Sequence, residues 1–332
     1  MLIGILELLL LVLFLLLVVN IVASLMIGTP FIPFDQLAEV FQGNGSAIQE
    51  LIVYEFRAPR LLISLLAGMC LGISGFILQG VTRNRLADAG ILGINAGAGF
   101  FVMIYLGFYA NQTFPFLLLI VAFLGGLLAA LLVYLFAYTR NSFLGMNRLL
   151  LSGIAVNAGL SALMLLFTIK LSKENYGFVN AWLAGSLWGA SWPYVFSLLP
   201  WAVILLPFVL IYSRRIGLLS FGQERAQSLG LDVQKSQKIL LILAVALACG
   251  SVAVAGSLSF VGLLAPHLAK FVVRRENQLS LILSGLFGAF FVTIADVLTR
   301  VILPSGEIPT GILIAVLGAP YFLYLLFSKQ TI

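Results

Sequence analysis

Long apolar runs separated by short polar breaks dominate this chain. A helix needs about 20 apolar residues to cross a bilayer. Runs of that kind cover residues 2–27, 61–81, 91–109, 114–137, 149–169, 194–212, 239–255, 258–273, 279–303 and 308–327. The pattern predicts an all-α protein with about ten transmembrane helices. The stretch 239–273 decides the count. As one helix it would be far longer than a hydrocarbon core of about 30 Å. Lys235 and Lys238 precede it, and Lys270, Arg274 and Arg275 close it. Basic residues favour the cytoplasmic side. Both ends therefore belong on one side, and the stretch folds back with Gly256-Ser257 as its turn. The first apolar run has no Lys or Arg before it, Arg57 being the first basic residue. It reads as an uncleaved spanning helix rather than a secretory signal.

Composition agrees with the pattern. Of the 332 residues, 62% are hydrophobic and 9% charged, against roughly 25% charged in soluble domains. The surface must therefore face mostly lipid, and residues 1–332 are expected to form one transmembrane domain without a sizeable soluble part. The net charge is +6. Its basic residues sit in short segments between apolar runs rather than on one face, so nucleic acid is not an expected partner. An inside N-terminus puts most of the 18 Lys and Arg inside, leaving Arg57, Arg60, Lys170, Lys173 and Arg300 at outer ends. That bias supports cytoplasmic termini at both ends. Cys70 and Cys249 lie in apolar runs, and His267 is the single histidine. No metal-ligand spacing results.

Polar segments differ in kind. An outer segment, 28–55, holds Asp35, Glu39, Glu50 and Glu55. A second, 171–192, contains the tryptophan-flanked run 181–188, which reads as a short interfacial helix. The inner segment 213–238 reads as an amphipathic helix. Within the spans, Gly68-x3-Gly72 and Gly93-x3-Gly97 suit close helix packing in lipid. Asp296 and Arg300 stand four residues apart on one helix face and can neutralise each other. No Gly-x4-Gly-Lys-Ser/Thr phosphate loop occurs, so an ATPase, if one drives this chain, is another polypeptide.

A set of short motifs adds a family likeness. Arg57-Ala58-Pro59-Arg60 precedes Ser74-Gly75-x3-Gln79-Gly80. The loop Thr82 to Gly93 follows, then Gly97-Ala98-Gly99, Trp182-Leu183-x-Gly185-Ser186 and Ala226-x2-Leu229-Gly230. Later come Gly256-x3-Phe260-Val261-Gly262-Leu263-x2-Pro266-His267, Ala295-Asp296-x3-Arg300, Glu307-Ile308-Pro309-x-Gly311 and Gly318-Ala319-Pro320-x-Phe322. In this order they resemble the type II ATP-binding-cassette importer permeases for iron-siderophores, haem and cobalamin. The likeness runs from about Arg57 to Leu326. Arg85 and Ala89 stand where the family usually has prolines, and Gly256-Ser257 replaces a usual Gly-Pro pair. Losing prolines predicts looser turns there.

The resemblance implies a permease, not an enzyme, in a bacterial cytoplasmic membrane. It implies a second permease subunit, identical or a sister. Two ATPase subunits that bind ATP and Mg are implied on the inner side. A periplasmic or lipid-anchored siderophore-binding protein is implied outside. No cofactor or metal is expected in the chain itself. Arg57, Arg60 and Arg300 match the family's docking arginines, whose forks suit carboxylates; snorkelling to lipid phosphate is the alternative. Gln79, Asn84 and Leu86, with Asn141 and Ser142, match the pathway and inner gate, although Gln79 could equally make an interhelical hydrogen bond. Gly222, Gln223, Glu224, Ala226, Leu229 and Gly230, within the cytoplasmic segment 214–238, match the ATPase-coupling helices. A ferric siderophore, of hydroxamate type by overall resemblance, is the expected cargo. Haem and cobalamin remain open, and an ion-coupled secondary transporter is the rival from another class.

Overall fold

The structure is a computed structural model that describes residues 2–108, 115–138, 146–273, 277–302 and 308–327. Its helices are, in order, α1 (Leu2–Met26), α2 (Phe34–Phe41), α3 (Ala47–Leu51), α4 (Ala58–Thr82), α5 (Ile94–Phe108), α6 (Pro115–Ala137), α7 (Met146–Thr168), α8 (Lys173–Leu183), α9 (Trp192–Ser220), α10 (Gln223–Ser228), α11 (Val233–Ala255), α12 (Val261–Val273), α13 (Gln278–Ile302) and α14 (Thr310–Phe327). Among the described residues, seven helical runs are long and apolar enough to cross a membrane, and three shorter apolar helices, Ile94–Phe108, Val261–Val273 and Thr310–Tyr324, bring the number to the ten expected.

Helix α4 is the axis of the bundle. It packs against α9, α11, α12 and α13. Small residues make this possible, because without side-chain bulk the backbones approach closely and weak polar contacts become available. A Cβ on Gly75 would stand 2.5 Å from the Gly262 Cα, and one on Gly68 would stand 2.7 Å from the Gly288 carbonyl carbon. Serines replace hydrophobic glue at the same contacts. Ser74 donates to the Ala244 carbonyl at 2.7 Å, and Ser284 to the Gly72 carbonyl at 2.7 Å. The periphery is different. α1, α6, α7 and α9 carry rows of exposed leucine, valine and phenylalanine, as lipid contact demands.

Several boundaries depart from the hydrophobic pattern. The second span was expected from residue 61, yet helical structure begins at Ala47, capped by a Ser46–Gln49 capping box, and runs through a π-helical turn, Ile52–Arg57, into α4. Glu50, Glu55 and Arg57 disguise this continuity because they are tolerated at a membrane boundary. The expected interfacial helix over 181–188 is displaced: α8 ends at Leu183, and Gly185 takes a left-handed φ of 78°. The inner segment 213–238 is not one amphipathic helix. α9 continues to Ser220, Gly222 breaks the chain at φ 105°, and the short α10 follows.

The stretch 239–273 is interrupted as expected. α11 and α12 are separated by residues 256–260, with Gly256 at φ 70°. Non-helical backbone inside an apolar bundle survives only where protein satisfies its polar groups. Here Ser257 N–H donates to the Trp182 carbonyl at 3.3 Å, and Gly311 N–H to the Gly185 carbonyl at 2.8 Å. Three motifs far apart in sequence thus meet at one junction. Glycine is required at Gly185, where a side chain would meet the Ser257 carbonyl oxygen at 2.6 Å.

Candidate functional site

Helix α4 carries a cluster of candidate residues at each end. At its N-terminal end, Pro59 in the first turn starts the regular helix after the π turn, and Arg57 and Arg60 flank it. Asp296, on α13, is wholly buried between helices. Its Oδ1 accepts from Arg60 Nε at 2.8 Å and from Thr310 Oγ1 at 3.4 Å, and its Oδ2 accepts from Arg300 Nη2 at 2.8 Å. The i, i+4 pair expected within α13 is present. Arg60, reaching over from α4, is the partner that sequence spacing could not supply, because 236 residues separate it from Asp296.

Helix α1 enters the same knot through its last carbonyls, which no further helical turn follows to satisfy, although Ile32 N–H also donates to the Met26 carbonyl at 3.1 Å. Arg300 Nη1 donates to the Ser24 and Ile27 carbonyls at 2.9 Å each, and Nη2 to the Ser24 hydroxyl at 2.8 Å. Arg57 Nη1 donates to the carbonyls of Leu25 at 2.6 Å and Met26 at 2.9 Å, and its Nη2 to that of Pro30. Arg57 is therefore buried rather than standing free, and its side chain clamps the end of α1. All three arginines line a recess of about 480 Å³ with Trp188, Gly189 and Ile308. A partly polar, cation-lined recess of this kind suits a carboxylate.

At the opposite end of α4, Arg83 terminates the helix in a left-handed conformation, φ 53°. The loop that follows carries hydrogen bonds to its own side chains. Asn84 N–H donates to Thr82 Oγ1 at 3.4 Å, Leu86 N–H to Asn84 Oδ1 at 2.9 Å, and Gly90 N–H to Asp88 Oδ1 at 2.9 Å. Asp88 caps the 3-10 turn Ala89–Leu92. Burial pushes its carboxyl above the ordinary range, opposed by the Gly90 and Ile91 N–H groups. Asn84 and exposed Leu86 thus sit together on one loop. Asn141 and Ser142 lie outside the described residues. Gln79 is buried, with its Nε2 3.4 Å from the Gly262 carbonyl oxygen and 3.5 Å from that of Leu263. It makes the interhelical contact between α4 and α12. Its Oε1 has no hydrogen-bond partner among the described residues.

The predicted coupling residues adjoin this loop. Gly222 opens α10, and the Arg83 guanidinium lies 3.4 Å from where a Gly222 Cβ would stand. Ala226, on α10, is buried, whereas Leu229 is 64% exposed, a large apolar side chain presented beside Gly230 at φ 84°. Gln223 and Glu224 form the first turn of α10. Sequence reasoning missed the Arg83 contact. Its only local signal was a non-glycine residue ending a glycine-rich helix.

Ten apolar helices among the described residues, with a cation-lined recess at one end of α4 and exposed Leu229 beyond the other, make a membrane-embedded protein. The chain belongs to the FecCD transport family, whose pattern it matches over residues 15–328. It is 41% identical over 323 residues to the iron(3+)-hydroxamate import system permease protein FhuG of Bacillus subtilis (strain 168), covering 96% of each chain. It is 36% identical over 285 residues to the cobalamin import system permease protein BtuC of Halobacterium salinarum, covering 85% of this chain and 74% of that one. Among solved structures, an inward-facing metal-chelate type ABC transporter aligns with TM-score 0.84 and 29% identity, covering 95% of this chain and 97% of the other.

Proposed function

We propose that this chain is the membrane-spanning subunit of an ATP-driven importer that carries a ferric hydroxamate siderophore across the bacterial cytoplasmic membrane. The observation that carries this reading is the pairing of two unlike surfaces on one helix: a recess of arginines before α4, and after it Arg83, beside Gly222 at the start of the segment that presents exposed Leu229. Support for the cargo is the extensive identity to an iron(3+)-hydroxamate permease. Haem and cobalamin are the competing cargoes, the second favoured by the likeness to a cobalamin permease.

In this reading the arginine end faces outward and receives acidic residues of a binding protein. The opposite end and both termini are cytoplasmic. Leu229 and Gly230 seat on an ATPase subunit that binds ATP and Mg, and Arg83 relays its movement to Asn84 and Leu86. This chain hydrolyses nothing. Helix α7 faces a second permease subunit and the pathway between the two. Among the described residues it is the least buried and the least apolar of the seven long runs. It also presents Asn147 and Ser161 outward. A lipid-facing helix gains nothing from such polar groups.

Reconstitution tests the assignment. Proteoliposomes holding the chain with its ATPase and binding protein should accumulate ferric hydroxamate only with ATP inside the coupled compartment. Gly230→Val, which forces a β-branched residue into left-handed backbone, should leave ATP hydrolysis running while uptake falls at least tenfold. Uptake that persists without the ATPase, or that collapses with the proton gradient alone, would replace this reading with a secondary transporter. Preference for haem or cobalamin over hydroxamates would reassign the cargo.

A further inference from the structure

Helices α6 and α9 both pack on α11 and only lightly on each other, so α11 forms the floor of a groove between them. Most of α11 is buried, but one stripe is not. Lys235, Lys238 and Ile242 are exposed and Ala246 partly so, at the three- and four-residue spacing of a single helix face. The stripe runs on to Gly250 and Val254, which line an apolar cavity of about 260 Å³ with Phe123 and Trp201. There the groove is bridged: the rings of Phe123 on α6 and Trp201 on α9 meet edge to face at 5.2 Å, and Trp201 Nε1 donates to the Ala246 carbonyl at 2.8 Å.

The other end of the groove, beside the coupling segment, is basic. Arg215 on α9 lies over the Tyr212 ring at 4.3 Å, and its Nη1 donates to Ser236 Oγ on α11 at 3.4 Å. Lys238 lies 5.7 Å over the ring of Tyr138, which follows α6. Arg214 and Lys235 stand exposed nearby. Among the described residues none of these four cations forms an ion pair. The nearest acidic residue in sequence, Asp232, caps α11 by accepting from Lys235 N–H at 3.0 Å. The sequence after Tyr138 adds Arg140 and no acidic residue before α7.

We propose that this groove binds an anionic phospholipid, with its phosphate between Arg215 and Lys238 and one acyl chain laid along the α11 stripe toward Trp201. Aromatic rings hold the two cations in place, and basic pockets between helices on one side of a membrane suit lipid head groups. The dimensions agree. Ala246 and Gly250 lie eight and twelve residues beyond Lys238, about 12–18 Å at 1.5 Å per residue. One leaflet of a hydrocarbon core of about 30 Å has that depth. An ATPase surface fits less well, because exposed Ile242, one turn beyond Lys238, carries the stripe into hydrocarbon rather than toward water.

Quenching of tryptophan fluorescence tests both halves of the site. The full chain is placed in phosphatidylcholine nanodiscs containing a minor, varied fraction of phosphatidylglycerol brominated near its chain ends. Emission should fall at much lower fractions than with phosphatidylcholine brominated in the same way, and Trp201→Phe should abolish that difference. Changing Arg215→Gln and Lys238→Gln together should raise the phosphatidylglycerol fraction needed at least tenfold, since each cation near an anionic surface contributes about fivefold. Lys238→Gln alone should raise it about fivefold, and it is read in place of the double variant if that does not fold. Lys170→Gln removes a cation that also lies over a ring, that of Phe167 at 5.7 Å, and should change nothing. Equal quenching by the two lipids, a lipid difference that survives Trp201→Phe, or a double variant that titrates like the parent overturns the proposal. So does an equal loss in Lys170→Gln, which would reduce the effect to general surface charge. Unchanged quenching in a double variant that binds the ATPase more weakly would assign the cations to that protein instead.

Discussion

Replacing Gly75 with alanine puts one methyl group at the tightest part of the α4 interface. The new Cβ would stand 2.5 Å from the Gly262 Cα and nearer still to its carbonyl oxygen, where ordinary contact begins at 3.4 Å. The shortfall against the Cα alone is about 0.9 Å, and rigid backbone on α12 cannot rotate away as a side chain would. Helices α4 and α12 must separate. Separation would also lengthen the already long contacts of Gln79 with the Gly262 and Leu263 carbonyls. Overpacking of this kind costs roughly 1–3 kcal/mol, occasionally more. Alanine's better helix propensity returns only about 1 kcal/mol. The difference is about 0–2 kcal/mol, and a clash with rigid backbone puts the loss at the upper end of that range or beyond, seen as a lower melting temperature in detergent and reduced uptake. Gly159→Ala on α7 is the matched control, since no atom lies within 4 Å of its Cβ position; the isolated chain should melt no lower than the parent. A Gly75→Ala protein with parental melting and uptake would refute the close-packing account of α4.

Two further outcomes are expected. Arg57→Met removes the guanidinium donors from the Leu25, Met26 and Pro30 carbonyls; Met26 keeps the Ile32 N–H and Pro30 is exposed to solvent, so the Leu25 carbonyl carries the cost, about 1–3 kcal/mol, and Arg57→Lys should recover only part of it. Equal melting of the methionine and parent proteins would show that the clamp carries no stability. Asp88 has its carboxyl raised by burial, so the folded loop binds a proton more tightly than the unfolded chain. Its contribution is full below the ordinary carboxylate range and is lost as pH rises through the raised folded value. Amide exchange at Gly90 and Ile91, corrected for intrinsic rates, should therefore show protection declining over that window, and Asp88→Asn, which still offers a capping oxygen, should flatten the decline; a pH dependence unaltered by the substitution would sink the assignment.

The ten apolar runs were legible in the sequence because lipid demands the same composition along the whole of a spanning segment, whatever that segment touches. So were the break at Gly256 and the Asp296–Arg300 pair, since each depends on neighbours a few residues away. Hydropathy placed the second span from residue 61, and helical structure begins at Ala47 instead, because charged side chains at a boundary reveal nothing about backbone continuity. The partners of Arg57, Arg60 and Gly185 were hidden for another reason. They come from carbonyls and a carboxylate on elements tens to hundreds of residues distant, brought close by glycine and serine faces whose packing partner no local pattern encodes. Sequence alone determined that this chain lives in a membrane and which residues carry charge there. Tertiary structure decided how those charges are used, because a guanidinium's donors can be assigned only once the groups within hydrogen-bond reach are known.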